Sequence, residues 1–273
     1  MKNIGFIGVG YMGYGIAKNI LKNKNNLFVI ANKNRKPIDK IVSEGAKEVK
    51  SIKDFSEKKL DCLFLCVTNT PIAISIAKEL SNVLSEGTLI IDITTHNKTG
   101  SIETNKIFED KKIRYIECPV MGGPVQAEEG VLGGIVGGTE ENFSKAEPYL
   151  KMFCKNYFYF GSIGMGAKSK LLNNFLTLGN AALINHLAKT GKALGLDLQK
   201  LFEVAKLGSG NSAALNRVFE NLLKNDFTGF KFTANNSVKD LSYIQDLLKE
   251  FPEAEKIAEV NKNYFKKAVE DGY

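Results

Sequence analysis

The chain has 273 residues, 44% of them hydrophobic, and a formal net charge of +7. That length holds one large domain or two smaller ones of ordinary globular composition. No apolar stretch reaches membrane-spanning length, and the positive charge lies in mixed-sign segments without a long basic block. Membrane and nucleic acid are therefore excluded as partners, and an anionic cofactor with an acidic substrate is favoured.

Met1-Lys2-Asn3 runs directly into the apolar stretch Ile4-Gly5-Phe6-Ile7, so no signal peptide is expected. Gly8-Val9-Gly10-Tyr11-Met12-Gly13 follows, then a helical pattern with Ile16, Ile20 and Leu21. In this strand–loop–helix setting Gly8 allows a tight turn and Gly10 lets backbone approach a pyrophosphate. Gly13 lets the helix pack against the strand. The helix N-terminus offers N–H groups and the positive end of its dipole to phosphates. Gly8, Gly10, Tyr11, Met12 and Gly13 are accordingly read as dinucleotide-binding.

The second strand is Leu27 to Ala31. An NAD enzyme usually carries an acid near its end, about 20 residues past the glycines, for the ribose hydroxyls. Here stand Asn32, Lys33, Asn34 and Arg35. Lys33 and Arg35 would attract a 2′-phosphate, so NADP is preferred over NAD. The alternative is a solvated basic turn whose Asn32 binds the hydroxyls of plain NAD.

A helix is expected from Pro37 to Glu44, a capped short helix after Ser51-Ile52-Lys53-Asp54, and a fully apolar strand over 60–67. A helix from Thr70, a strand from Thr88 to Ile93, a charged helix near 98–111 and a strand from Ile113 to Glu117 come next. A glycine-laced strand from Val131 to Val136, a helix near 140–152 and a strand near 156–160 complete a doubly wound sheet of about 160 residues. Cys62 and Cys66 read as buried strand residues of a protein in the reducing cytoplasm. Cys118 and Cys154 show no CxxC spacing, and His96 and His186 are far apart, so no metal is expected.

Ligands of such sheets bind beyond the carboxyl ends of the strands. Thr68-Asn69-Thr70 after Val67, Thr94-Thr95, and Met121-Gly122-Gly123 are the loops beyond the strands at 60–67, 88–93 and 113–117. Their hydroxyls and glycine amides suit a nicotinamide amide and a substrate carboxylate.

After Gly166 the pattern turns helical, with one long helix over 168–194 and others near 197–206, 212–223, 233–249 and 253–270. The long helix opens with Lys170, Asn173 and Asn174. Lys170 and Asn174 are one turn apart, so an amine able to exchange a proton with a carbonyl oxygen or hydroxyl lies beside an amide able to hold the substrate. The apolar residues at 171–194 call for a partner, either a second copy of the chain or the rest of a helical domain.

Taken together, Gly8-x-Gly10-x-x-Gly13, Asp92-Ile93-Thr94-Thr95, Pro119 to Gly123, Gly164-x-Gly166-x-x-x-Lys170-x-x-Asn173-Asn174 and Lys239-Asp240-Leu241 resemble the β-hydroxyacid dehydrogenase family. That family includes 3-hydroxyisobutyrate dehydrogenases, tartronate semialdehyde reductases and glyoxylate/succinic semialdehyde reductases. The resemblance runs in order over nearly the whole chain. It implies a Rossmann-type α/β domain over residues 1–162, joined by a long helix to an all-helical substrate and dimerisation domain over 163–273. It places the catalytic lysine at Lys170, a substrate-binding amide at Asn174 and a lysine near the cleft at Lys239. Val67, Thr68, Asn69, Thr95 and Lys239 join the cofactor set, and Thr95, Met121, Gly122 and Gly123 join the substrate set.

Asn32-Lys33-Asn34 resembles the Asn-Arg-Thr of the NADPH-preferring branch. Two departures stand out. Met121 takes the place of the usual serine, so a hydroxyl for the substrate carboxylate is missing. The chain also stops at Asp271-Gly272-Tyr273, where relatives often continue with an acidic tail. The implied activity is NADPH-dependent interconversion of a small aldehyde or keto acid and its hydroxy acid, in a cytoplasmic homodimer or homotetramer. Other readings are an NAD-dependent 3-hydroxyisobutyrate-type dehydrogenase, an imine reductase and a non-catalytic NADP-binding module. Lys170 speaks against the imine reductase, whose relatives typically lack that lysine.

Overall fold

Four short strands of the first unit, at residues 3–7, 26–30, 62–65 and 89–92, are mostly apolar and bury both of their faces. The computed structural model describes residues 1–226 and 232–272. Tyr273, part of the expected C-terminal end, lies outside the described residues. Contacts divide the chain into two units, Met1–Lys170 and Leu171–Tyr273.

In the first unit β1 (Asn3–Ile7), α1 (Tyr11–Lys22), β2 (Asn26–Ile30), α2 (Lys36–Ser43) and β3 (Lys47–Val49) follow in order. A 3-10 helix (Ile52–Lys58), β4 (Cys62–Leu65), α3 (Thr70–Leu80), β5 (Leu89–Asp92), α4 (Gly100–Glu109) and β6 (Arg114–Glu117) complete a parallel sheet of order β3-β2-β1-β4-β5-β6. The strand order reverses between β1 and β4, the point at which such sheets bind ligands. Ile4, Phe6, Cys62, Phe64 and Ile91 enter one core, while Ile7, Leu63, Leu65 and Ile90 enter the other. This is the two-residue period of a sheet covered on both sides.

The sheet departs from the sequence reading at its far end. The strands expected at 131–136 and 156–160 do not extend the parallel sheet. They are β8 (Leu132–Val136) and β9 (Cys154–Tyr159), and with β7 (Val120–Met121) they form a separate three-stranded sheet. The pair β7–β8 is antiparallel and β8–β9 is parallel. Pro119 explains the break. It has no N–H to continue the β6 ladder, and its carbonyl accepts instead from Ile135 N at 2.9 Å. Met121 is thus a β7 residue rather than part of a loop on the sixth strand. α5 (Pro124–Glu129) and α6 (Glu140–Leu150) flank β8. β3 and α5, three and six residues long, were too short to show a period.

α7 (Met165–Ala193) starts in the first unit, three residues before the expected helix. The second unit continues with α8 (Leu198–Leu207), α9 (Ala213–Leu222), α10 (Ala234–Leu247) and α11 (Pro252–Glu270), and has no strand among its described residues. Leu171, Leu178, Leu241, Ile244 and Ala258 form one of its cores. Ile184, Phe202, Leu215 and Phe219 form the other. No helix of the described residues is long and apolar enough to cross a membrane.

Candidate functional site

The glycine turn separates into two fixed positions and an open one. Gly8 has φ +100°, and a Cβ there would lie 2.0 Å from the Cys66 carbonyl oxygen. A Cβ on Gly13 would lie 2.1 Å from the Gly8 oxygen. Gly10, between them, is exposed and has nothing within 4 Å of a Cβ. It is also the N-cap of α1, where no side chain caps the helix and no acid occupies the first turn. Tyr11 is exposed and Met12 half-buried. Bare N–H groups at the positive end of a helix, with clear space beside them, fit the pyrophosphate of a dinucleotide.

Asn32, Lys33, Asn34 and Arg35 are all exposed beyond β2. The Arg35 guanidinium is already engaged. Its Nη1 and Nη2 donate to the two Glu48 oxygens at 2.8 and 3.0 Å, and Nη2 donates to Asp39 Oδ1 at 2.8 Å. The same guanidinium pulls the Glu48 carboxyl below its usual range. Asn34 Oδ1 accepts from Lys36 N at 3.2 Å. The basic turn is therefore uneven, with Lys33 exposed and Arg35 clasped by two carboxylates.

The loops after β4 and β5 are tied to each other. Val67 N donates to Thr94 Oγ1 at 3.2 Å, and Asn69 caps α3 by accepting from Ile72 N at 3.0 Å. Beneath them Asp92 is fully buried and accepts from Thr94 N at 2.9 Å, from the Tyr115 hydroxyl at 3.0 Å and from His96 Nε2 at 2.9 Å. With Nε2 carrying the proton, His96 Nδ1 accepts from Thr70 Oγ1 at 3.3 Å, and Thr70 Oγ1 in turn accepts from Asn97 N at 3.0 Å. Burial pushes the Tyr115 phenol well up, so it remains a donor. Thr68 lies exposed and Thr95 half-buried at the surface of this network.

Lys170, on the second turn of α7, is 9% exposed. Its Nζ donates to the Val120 carbonyl at 2.7 Å and lies 3.3 Å from Met121 Sδ. One thioether and one carbonyl of β7 thus hold the amine. Beyond β7, Gly122 is exposed with φ +113°, and the Gly123 amide donates to Gln126 Oε1 at 2.9 Å. Glu117, at the end of β6, accepts from three amides at the opening of α7. Burial raises its carboxyl above the usual range, while the donors from Gly164 and Gly166 pull it back.

In the second unit Asn174 is buried and its amide donates to Asp240 Oδ2 at 2.7 Å. Lys239 Nζ lies 2.9 Å from Asp240 Oδ1 and 5.5 Å over the Tyr243 ring. Asn173 donates to Thr177 Oγ1 at 3.4 Å, back along its own helix. Sequence reasoning missed Asp92, His96, Glu117 and Asp240. Each is an ionisable side chain at 1% exposure or less, and three of them stand inside motifs quoted for other residues or directly before or after them. A buried charge needs a partner, and some of the partners, Tyr115 for Asp92, the amides at 164–167 for Glu117 and Asn174 for Asp240, lie far off in the chain.

Residues 3–161 match the family described as the NAD binding domain of 6-phosphogluconate dehydrogenase. Residues 164–273 match the family described as the NAD-binding domain of NADP-dependent 3-hydroxyisobutyrate dehydrogenase. Among curated relatives, 2-(hydroxymethyl)glutarate dehydrogenase of Eubacterium barkeri is 29% identical over 90% of this chain and 82% of its own. Glyoxylate/succinic semialdehyde reductase 2 of Arabidopsis thaliana is 27% identical over 99% of this chain and 75% of its own. The solved structure of Mycobacterium tuberculosis 3-hydroxyisobutyrate dehydrogenase with L-serine has the same fold. Its TM-score is 0.88 at 21% identity, over 99% of this chain and 94% of that one. The chain belongs to the β-hydroxyacid dehydrogenase family, and it is an NAD(P)-binding dehydrogenase or reductase acting on hydroxyl groups.

Proposed function

We propose that this enzyme interconverts a small carboxylate-bearing aldehyde or keto acid and its hydroxy acid, prefers NADPH, and uses Lys170 as general acid and base. The observation that carries this reading is the Lys170 amine, 9% exposed and aimed by a 2.7 Å hydrogen bond to Val120 O. A buried, oriented amine can protonate a carbonyl oxygen in reduction and take the proton from a hydroxyl in oxidation. The nicotinamide, when bound, supplies or accepts the hydride. Gly8, Gly10, Tyr11, Met12 and Gly13 hold its pyrophosphate, Asn32 and Lys33 its adenosine end, and Val67, Thr68, Asn69 and Thr95 the remainder. Arg35 and Lys239 add positive charge.

Asn174, one turn beyond Lys170, orients the substrate. Met121, Gly122 and Gly123 form its wall, with the Gly122 amide facing the carboxylate and the Gly123 amide exchanging Gln126 for it. The cofactor domain spans 1–162 and the helical domain 163–273. Leu172, Leu176 and Leu183 are exposed on α7 and fall within about 40° of one another around its axis, a stripe suited to a second copy of the chain. All four cysteines are free thiols, in keeping with the reducing cytoplasm.

The test is a panel assay of NADPH and NADH oxidation with glyoxylate, succinic semialdehyde, methylmalonate semialdehyde and tartronate semialdehyde. Turnover of at least one acid, faster at low NADPH than at equal NADH, is the expected result. Equal use of the two cofactors overturns the NADPH preference. Turnover of cyclic imines with none of these acids overturns the substrate class.

A further inference from the structure

α7 carries Lys170 and opens against a buried carboxylate. Glu117 is 0% exposed. Its Oε1 accepts from Gly164 N at 2.7 Å and Gly166 N at 2.9 Å, and its Oε2 accepts from Ala167 N at 3.1 Å. The amides that open a helix have no partner within it, and here one side chain takes three of them. A carboxylate at this end also meets the positive pole of the helix dipole.

The surroundings are shaped to admit it. A Cβ on Gly137 would lie 2.2 Å from Glu117 Oε1, and one on Gly166 would lie 3.1 Å away. Glycine at both positions leaves the space the carboxylate fills. Two rungs then join the same pair of segments. Ala167 reaches back to Glu117 and Lys170 reaches back to Val120, each across 50 residues of chain. The rungs are three residues apart on both sides, so the first fixes where the second can form.

We propose that Glu117 is the positioning residue for the Lys170 amine: by clasping the opening of α7 to the end of β6 it sets the place of Nζ against β7. The inference rests on the reading of Lys170 as the proton-transfer group. Glu117 is fully buried and, on this reading, acts only through Lys170.

The test is a double-mutant cycle with Glu117→Gln and Lys170→Ala, read by kcat, KM, NADPH titration and thermal unfolding. Glutamine keeps the shape, loses the charge and brings an N–H group against the helix amides. A reacting group displaced by about 1 Å costs on the order of 100-fold. For Glu117→Gln we expect kcat to fall between about tenfold and that limit, with KM and NADPH affinity changed less than twofold. On the Lys170→Ala background Glu117→Gln should lower kcat no further, because a residue acting only through Lys170 has nothing left to position. Glu117→Asp keeps the charge and should recover part of the lost kcat.

A folded Glu117→Gln protein with kcat within twofold of the parent overturns the proposal, as does a further tenfold loss on the Lys170→Ala background. If Glu117→Gln does not fold, Glu117→Asp decides. A lowered kcat with normal NADPH affinity supports the proposal, and an unchanged kcat overturns it. If Lys170→Ala itself keeps full turnover, the reading of Lys170 fails, whatever Glu117 does.

Discussion

The glycine turn and the Lys170 cluster belong to the same unit, yet they are built on opposite principles. The turn is local: Gly8, Gly10 and Gly13 lie within six residues, and the open position is exposed. The Lys170 cluster is long-range: its carbonyl, its thioether and its helix clasp come from about 50 residues upstream, and its charged members are buried. A local, exposed device tolerates change in its ligand-facing atom and fails through its backbone-facing ones. A buried, long-range device fails through its chemistry or its alignment. Each prediction below breaks or sharpens that contrast.

The largest effect is expected at Lys170. Lys170→Ala removes the proposed proton donor and leaves the glycine turn untouched. General acid–base catalysis contributes roughly 10²–10⁴-fold, so turnover should fall by that order while NADPH titrates normally. Lys170→Arg should not rescue it, because guanidinium holds its proton throughout the working range. Steady-state kinetics together with fluorescence titration of NADPH separate the two quantities. A parallel loss of cofactor affinity would mean that the clusters are not independent.

Next comes the turn itself. A methyl group on Gly13 would press on the Gly8 carbonyl at 2.1 Å, and backbone cannot step aside as a flexible side chain can. Gly13→Ala should therefore destabilise the fold by about 3 kcal/mol, the upper end of the usual overpacking cost. Gly10→Ala meets nothing within 4 Å. It should leave the melting temperature unchanged and weaken NADPH binding, since the methyl group would stand in the open space proposed for the pyrophosphate. Thermal unfolding and NADPH titration of the two variants should give opposite patterns. A destabilised Gly10→Ala protein with intact cofactor binding would place the cofactor elsewhere.

The same contrast explains what is legible in the sequence. The glycine spacing, the strands with period two and the lysine–amide pair on one helix are patterns of neighbours in sequence, and they predicted the Rossmann-type sheet and the helical unit. Asp92 was visible only as the start of a threonine motif, although it joins Thr94, His96 and Tyr115 in space. Glu117 carries no signal in the sequence, because its three donors lie at 164–167. The split of the sheet at Pro119 was missed for a related reason. β8 and β9 have strand composition, and composition does not say which sheet a strand joins.

The smallest effect concerns the basic turn after β2, where sequence treated Lys33 and Arg35 alike. Lys33 is exposed, whereas Arg35 is gripped by Glu48 and Asp39 at 2.8 Å each. A charge-assisted contact from a lysine to a 2′-phosphate changes affinity about tenfold or more, so Lys33→Ala should raise the Michaelis constant for NADPH by about that factor and leave NADH unaffected. Arg35 must loosen or share its carboxylates before it meets a phosphate, and those carboxylates repel the incoming anion. Arg35→Ala should therefore cost NADPH only about threefold, because exposed ion pairs hold weakly but an exchanged contact gains less than a new one. Glu48→Gln removes one grip and one repulsion together, and should improve NADPH by two- to about fivefold. The Michaelis constants of the three variants for both cofactors give the ranking. If Arg35→Ala costs as much as Lys33→Ala and Glu48→Gln changes nothing, the ion pairs do not restrain Arg35 when the cofactor arrives, and the two cations act as the equal pair that the sequence suggested.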